Sequence, residues 1–424
     1  MQRPSIDQDV LIVGAGPAGL AAGMACLAQG VRPRILEAGL GIDSRDRSAS
    51  EDVASGVGGA GLFSDGKFSF WPSASALWQL RPTSQLRVAY EWTAQLLSRH
   101  GVVAPPFPSE LGAPTMTSKE DRFGLKAYPS VRMPLQGRVS LAESLAATLA
   151  PTLQAGERAQ CASLDRGVVR LDSAATKPAS PYHASALILA TGRMGPLDVA
   201  EILPDVPVRF LRLEVGVRLE QQAARFIVQG NHDLLDPKFV TNEGQVTYRT
   251  FCACERGEVI AVDAGGFVSV SGRADISPSP LSSIGFNVRV SAARRGQRLW
   301  GELRGRLQGN SGPISEPLSC FLASDGSELR ALFGPELATL LANGLRSFIS
   351  SFPKADVSGA MVHGPCVEGV GEYPRVGRDL KVRERSVWVA GDAVGRFRGL
   401  TAALVSGYFA GLRASAFVKG RGQP

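Results

Sequence analysis

The sequence predicts an α/β protein in which a parallel sheet carries a GxGxxG βαβ unit and a second, α+β lobe completes the chain. Residues 9–13 (DVLIV) form a short β-rich run, and Gly14-Ala15-Gly16-Pro17-Ala18-Gly19 turns it into an alanine-rich helical stretch ending near Gly30. Residues 34–37 (RILE) form a second run ending in an acid, so the order is strand, glycine turn, helix, strand. The length of 424 residues exceeds the size at which one hydrophobic core stops growing, hence the second lobe.

Composition excludes several classes. With 44% apolar and 20% charged residues the chain reads as globular rather than disordered, and 48 glycines imply many tight turns. The net charge of +7 is spread along the chain, without the block of about five like charges that marks a nucleic-acid arm, so no nucleic-acid partner is expected. The cysteines are scattered and no signal-peptide pattern precedes them, which predicts reduced thiols and a cytoplasmic location. No run approaches the roughly 18 apolar residues of a membrane span.

Further along, residues 84–99 have helical apolar spacing closed by prolines, and 140–149 predict another helix. Strand-like pieces follow at 160–164 and 167–171, then the apolar run 186–190 (ALILA). Between about 206 and 291 short alternating segments, such as 210–219, 258–262 and 267–270, predict the sheet of the second lobe. Helical patterns occupy 294–307 and 328–352, the latter divided at Gly334-Pro335. Residues 387–390 (VWVA) return to a buried-strand pattern before a final helix over about 400–417. The expected organisation is a first domain built from 1–70, 136–205 and 356–424, a helical insertion at 71–135, and a substrate or cap lobe at 206–355.

The glycine turn carries the chemistry. Glycines there let the backbone approach a pyrophosphate, and the following helix N-terminus offers unpaired N–H groups and positive dipole. Glu37 lies 37 − 14 = 23 residues on, near the spacing of about 20 at which an acid meets ribose hydroxyls. This strand–turn–helix context points to a dinucleotide. A near copy at residues 56–61 (GVGGAG) lacks a preceding strand and reads instead as a loop passing close under a flat ligand, with Lys67 just beyond. Cys252 and Cys254 form a C-x-C that matches neither a C-x-x-C redox motif nor a full metal-ligand set, so buried structural roles are expected. His100, His183, His232 and His363 are isolated, which indicates no metal site.

Three segments together resemble the FAD-dependent oxidoreductases of the glutathione reductase-like class: DVLIVGAGPAGLAA with Glu37, ALILATG at 186–192, and VWVAGDAVGRFRGLTAALVSG at 387–407. Within that class GGAGLFSDGKFSF, the RFRGLTAALVSG ending and residues 248–254 (YRTFCAC) are similar to the "FAD-dependent dehydrogenase" family. Both ends of the chain match well, whereas 206–352 match mainly in pattern. The resemblance implies a Rossmann-type FAD-binding domain holding FAD noncovalently. The adenosine ribose would lie at Glu37 and Ala38, the pyrophosphate at Gly14, Ala15, Gly16, Pro17, Ala18 and Gly19 with Asp392 nearby. The ring would lie between Gly59, Gly61 and Lys67 on one side and Arg398, Gly399, Leu400 and Thr401 on the other. Cys161, Thr191, Gly192 and Gly391 complete the expected cofactor-binding set.

Hydride transfer between an organic small molecule and flavin N5, by a dehydrogenase or reductase, is the implied activity, with Lys67, Arg249 and Arg398 orienting an anionic or carbonyl substrate. The enzymatic alternative is a flavin monooxygenase with NAD(P)H as transient donor. An alternative of another class is a noncatalytic binding protein on the same fold. Flavin-dependent tRNA modification rests on the charge alone, and reduction of isoprenoid lipids needs an apolar tunnel in the second lobe. Disulfide reductase is excluded by the missing C-x-x-x-x-C pair after the first βαβ unit, and the oligomeric state is not indicated.

Overall fold

A computed structural model describes residues 8–109, 123–165, 167–174, 181–228, 235–274, 278–310, 312–323 and 326–421. His232 and the Pro/Ser loop at 175–180 lie outside them. The chain is a mixed α/β protein with two large sheets.

In the first sheet Leu153–Ala155, Pro33–Glu37, Gln8–Val13 and Tyr182–Leu189 run parallel in that order, and Val387–Val389 pairs in parallel with the second half of Tyr182–Leu189. These strands read as apolar runs rather than alternations because both faces are covered: Leu11, Ile12, Leu187, Ile188, Val387 and Val389 are all fully buried. Helix Pro17–Ala28 connects the two N-terminal strands and has proline in its first turn, where a missing N–H costs nothing. An antiparallel pair, Arg158–Asp165 and Val168–Ala174, extends the sheet from the start of Tyr182–Leu189.

Helix Leu400–Arg421 packs backbone to backbone on Pro17–Ala28. A Cβ at Gly407 would lie 2.0 Å from the Ala18 carbonyl oxygen, and one at Gly411 2.5 Å from that of Ala22, so the crossing exists only because both positions lack side chains. Among the described helices this is the one long and apolar enough to cross a membrane, yet 78% of its apolar window is buried in the fold, which accounts for its composition.

The second sheet is antiparallel, in the order Ile314–Pro317, Met361–Pro374, Val208–Gln222, Leu281–Val290, Val246–Cys254, Lys238–Glu243 and Gly124–Lys126. Leu213, Val215, Val217 and Leu219 alternate onto one face and join a core with Phe286, Leu341 and Phe348 under helices Ala293–Leu307, Glu328–Phe333 and Pro335–Ser350. Arg212, Glu214, Gly216 and Arg218 therefore turn to the opposite face. The split at Gly334 is real, with φ +77° between the two helices. Two expected boundaries shift: Met361–Pro374 and Gly124–Lys126 belong to this sheet, not to the first domain or a helical insertion. Backbone pairing decides their membership, and pairing is invisible to local composition.

Candidate functional site

The parallel strands of the first sheet end level with one another. The Gly14 N–H bonds the Leu36 carbonyl at 2.8 Å, the Ala190 N–H bonds Val13 at 2.8 Å, and the Ala390 N–H bonds Leu189 at 2.9 Å. Gly14, Glu37, Thr191-Gly192 and Gly391-Asp392, far apart in sequence, thus line one edge. That edge is where open α/β sheets bind ligands.

Local chemistry shapes each part of the edge. Gly14 has φ +99°, and a Cβ on it would lie 2.5 Å from the Ala190 carbonyl oxygen, while a Cβ on Gly19 would lie 1.7 Å from the Gly14 oxygen. No side chain caps the N-terminus of helix Pro17–Ala28, so its first N–H groups are left for a ligand. Ala15 is fully buried and Ala38 is exposed.

The Glu37 carboxylate accepts the Ala15 N–H at 2.7 Å, the Gly39 N–H at 2.9 Å and the Gly56 N–H at 3.0 Å. It binds the first glycine turn to the second glycine loop. A carboxylate has about four acceptor positions, so one more donor can be received.

The second loop lies directly on the first. Gly58 donates its N–H to the Ala15 carbonyl at 2.9 Å, and a Cβ on Gly59 would come 2.9 Å from the Gly16 Cα. Gly61 faces Leu400, whose Cδ2 would sit 2.2 Å from an added Cβ. Arg45, which sequence reasoning missed, clamps the loop by donating to the carbonyls of Val57 at 2.7 Å, Gly59 at 3.2 Å and Asp52 at 2.6 Å. Nothing in its local sequence marks it.

At the C-terminal part, the buried Gly391 N–H bonds Ser406 Oγ at 3.0 Å, and Asp392 Oδ1 accepts the Gly399 N–H at 3.4 Å. Burial raises the Asp392 carboxyl above its ordinary value, opposed by Arg193 and Arg398. Thr401 Oγ1, at the start of the last helix, is buried without a hydrogen-bond partner. Gly399 has φ +108°, with no neighbour within 4 Å of where its Cβ would be. An apolar void of about 30 Å³ beside Pro17, Gly58, Gly61, Leu62 and Leu400 has room for one water.

The three expected substrate-orienting cations divide between two clusters. Lys67 is buried and engaged, donating to the Ala253 carbonyl at 2.6 Å and pairing with Asp65 at 3.0 Å and Asp236 at 3.7 Å. The expectation that it offers a cation to a ligand is corrected, because its ammonium is spent on these partners. Arg249 and Arg398 instead share Glu214, a carboxylate with no exposed surface.

Around Glu214 also stand Arg212 at 2.9 Å, Arg289 at 3.2 Å and the Asn287 amide at 3.1 Å. Arg398 further reaches Glu368 at 2.5 Å, and Arg193 pairs with Glu368 too. Five arginines meet two carboxylates here. Burial works to raise the Glu214 carboxyl, but Arg398, Arg289, Arg249 and Arg212 outweigh it and hold it well below its ordinary range. Burial pushes Arg289 down to about 10 despite Glu214, helped by the neighbouring arginines. The Nε atoms of Arg249 and Arg289 and the Asn287 Oδ1 are buried without partners. The alternation Arg212-x-Glu214 in a predicted strand was the available signal for this cluster. Cys161 is exposed on Arg158–Asp165, opposite Asp172, and the described contacts do not bring it to the glycine edge.

Cys252 and Cys254 depart from the expected regular strand. Cys252 has φ +48°, the register slips between Phe251 and Cys254, and the two sulfurs come within 3.6 Å of each other.

No protein-family model matches the chain, and no curated protein does. Solved structures align along nearly its whole length at low identity. One, from Photorhabdus luminescens subsp. laumondii and provisionally described as an FAD-containing monooxygenase, has 12% identity over 99% of this chain and 91% of that one, with a TM-score of 0.46. A flavoprotein/dehydrogenase from Cytophaga hutchinsonii has 14% identity over 97% and 79%, with a TM-score of 0.40. The anhydrotetracycline hydroxylase OxyS from Streptomyces rimosus has 15% identity over 97% and 62%, with a TM-score of 0.41. None of these three is described as a glutathione reductase.

Proposed function

We propose that this chain is an FAD-dependent oxidoreductase with a Rossmann-type cofactor domain. One observation carries the reading: the glycine turn at Gly14–Gly19 and the acid Glu37 meet the Gly391-Asp392 pair, more than 350 residues further along, at the same carboxyl edge of a parallel sheet. The residues fit the cofactor by shape and chemistry. Side chains at Gly14 and Gly19 would strike the backbone of Ala190 and Gly14 and so break the tight turn, an uncapped helix N-terminus suits a pyrophosphate, and Thr401 Oγ1 lacks the partner that a polar ligand atom would supply. The ring would lie on the open side of Gly399, since the void beneath Leu400 is far too small for it.

FAD, when bound, supplies the two-electron chemistry. The chain's own residues would then position and polarise. The uncapped turn holds the pyrophosphate, Glu37 keeps both glycine loops in register, and Arg212, Arg249 and Arg289 of the second sheet, with Arg398 from the turn before the last helix, bind an anionic part of the substrate. Those arginines exceed the carboxylates that face them, and a half-buried excess of positive charge favours an anion.

Within this reading, the monooxygenase alternative stands at least level with the dehydrogenase. The neighbours' descriptions divide between the two, and overlaps below 0.5 do not decide. The deciding experiment is the visible spectrum of the purified protein, followed by anaerobic addition of NADH or NADPH and then oxygen uptake. Bleaching by a pyridine nucleotide with substrate-dependent oxygen consumption gives the monooxygenase. A yellow protein inert to both nucleotides gives a dehydrogenase reduced by its own substrate. A colourless protein that takes up no added FAD overturns the proposal.

A further inference from the structure

The C-x-C segment lies at the end of strand Val246–Cys254, where it meets Asp65 and Lys67 of the Gly58–Lys67 loop. Residues two apart in a regular strand stand roughly 6.6 Å apart along the chain, at the far end of what a disulfide spans. The positive φ at Cys252 and the register slip draw the two thiols together, to 3.6 Å between sulfurs. The strand distortion thus gives the pair a proximity that a buried structural role does not require.

The surroundings are those of an activated thiol. Arg218, with no exposed surface, donates to the Cys252 carbonyl at 2.8 Å, and Lys67 donates to the Ala253 carbonyl at 2.6 Å, so two buried cations are fastened to a three-residue segment. Arg218 Nη1 is buried with no partner of its own. The Cys252 thiol points at Asp65 Oδ2, 3.3 Å away. The hydrogen bond from Cys252, aided by Arg218 and Lys67, pulls the Cys254 thiol below its ordinary value, whereas that bond, burial and Asp65 hold the Cys252 thiol well above its own, so the first proton leaves Cys254. Cys252 is partly exposed and Cys254 is buried. Asp65, Cys252 and Cys254 also bring three ligand atoms within 4.8 Å of one another, but the two cations beside them oppose a divalent metal.

We propose that Cys252 and Cys254 are a redox-active dithiol that closes to an intramolecular disulfide by exchange with a small-molecule disulfide. The Cys254 thiol first loses its proton to solvent; the Cys254 thiolate then takes the Cys252 proton, and the Cys252 sulfur attacks one sulfur of the disulfide RSSR. The S–S bond of RSSR breaks, one RS⁻ leaves and takes up a proton, and a mixed disulfide remains on Cys252. Cys254 loses its proton and attacks the Cys252 sulfur, which releases the second RS⁻ to be protonated in turn. Two S–H bonds on the protein become one S–S bond, and RSSR is reduced by two electrons to two RSH. Exchange needs a thiolate, and here Cys254, beside Arg218 and Lys67, serves as the base that generates it on the more accessible Cys252. The proposal is independent of any bound flavin.

The full chain is equilibrated in oxidised and reduced glutathione over a range of ratios, unfolded, alkylated and cut with trypsin after Arg249 and Arg256, which leaves both sulfurs in one peptide, TFCACER. The expected result is loss of both labels together in a single two-electron transition, while Cys26 and Cys366 keep theirs. In Cys254→Ser a glutathione adduct should persist at Cys252, having lost its resolving partner. Retention of both labels at the most oxidising ratio, or absence of that adduct, overturns the proposal. So does stoichiometric binding of Zn²⁺ by the reduced protein that Cys254→Ser abolishes, which would assign the cluster to a metal.

Discussion

The guanidinium of Arg398, at the start of the last helix of the first domain, is ion-paired with the carboxylate of Glu214 in the middle of the second sheet, 184 residues away. This contact ties the turn before the last helix to the second sheet. Glu214 also serves Arg212, Arg249 and Arg289, so removing its charge strands these three guanidinium groups and leaves Arg398 to Glu368 alone. Glu214→Gln is expected to lower the unfolding free energy by about 3 kcal/mol, as breaking a buried pair does, and a urea titration measures it. An unchanged midpoint would refute the cluster's structural role.

The same carboxylate sets an acid limit. Its folded-state pKa lies well below the unfolded value of about 4.3, so its contribution is full above that value and is lost as pH falls toward the folded one. Wild-type stability is expected to decline below about pH 4.3. Glu214→Gln should show a shallower decline over that window, read from urea midpoints at stepped pH.

An excess of half-buried arginines predicts anion binding without turnover. Sulfate or a small dicarboxylate should raise the melting temperature more than chloride at equal ionic strength, because a ligand bound only to the folded state stabilises it by RT ln(1 + [L]/Kd), about 2.7 kcal/mol at a hundredfold excess over Kd. Arg289→Met should remove the difference between the salts.

The proposed cofactor site makes flavin retention depend on the glycine edge. Gly14→Ala places a methyl group 2.5 Å from the Ala190 oxygen at a positive φ, and the protein should purify without its visible flavin band. Glu37→Gln keeps the size of the side chain but not the charge that gathers three N–H groups. It should bind added FAD at least tenfold more weakly while keeping its far-ultraviolet circular dichroism, and equal flavin affinity would remove Glu37 from the cofactor set.

Helix contact at Gly407 is testable without any ligand. Gly407→Ala forces a Cβ to within 2.0 Å of the Ala18 oxygen, so the helices must separate. Overpacking of this kind costs about 1–3 kcal/mol, and a larger loss of flavin retention than of stability would show that the shift reaches the glycine turn.

Much of the first domain was legible in the sequence because its signals are local. The glycine turn must be glycine whatever surrounds it, the apolar runs at 9–13, 186–190 and 387–390 are buried on both faces, and the acid at Glu37 ends its strand. Partnerships were not legible. No periodicity shows that Met361–Pro374 pairs with Val208–Gln222, that Arg45 clamps the second glycine loop, or that Lys67 is consumed by Asp65. The arginine cluster was half seen, through Arg249 and Arg398, while the Glu214 that organises it was missed. A charge in a strand reads alike whether solvent or four guanidinium groups face it.

By itself, then, the sequence determined many of the strands and helices and which turn must be glycine, since these follow from side-chain volume, φ and hydrophobic period acting over a few residues. Only the tertiary structure decided which charges neutralise one another and which thiols touch. Cys252 and Cys254 meet because one residue takes a left-handed conformation where a strand slips against its neighbour, and that slip depends on pairing partners about thirty residues away. Such contacts are set by long-range packing, in which each strand's register is chosen by the whole sheet rather than by its own composition.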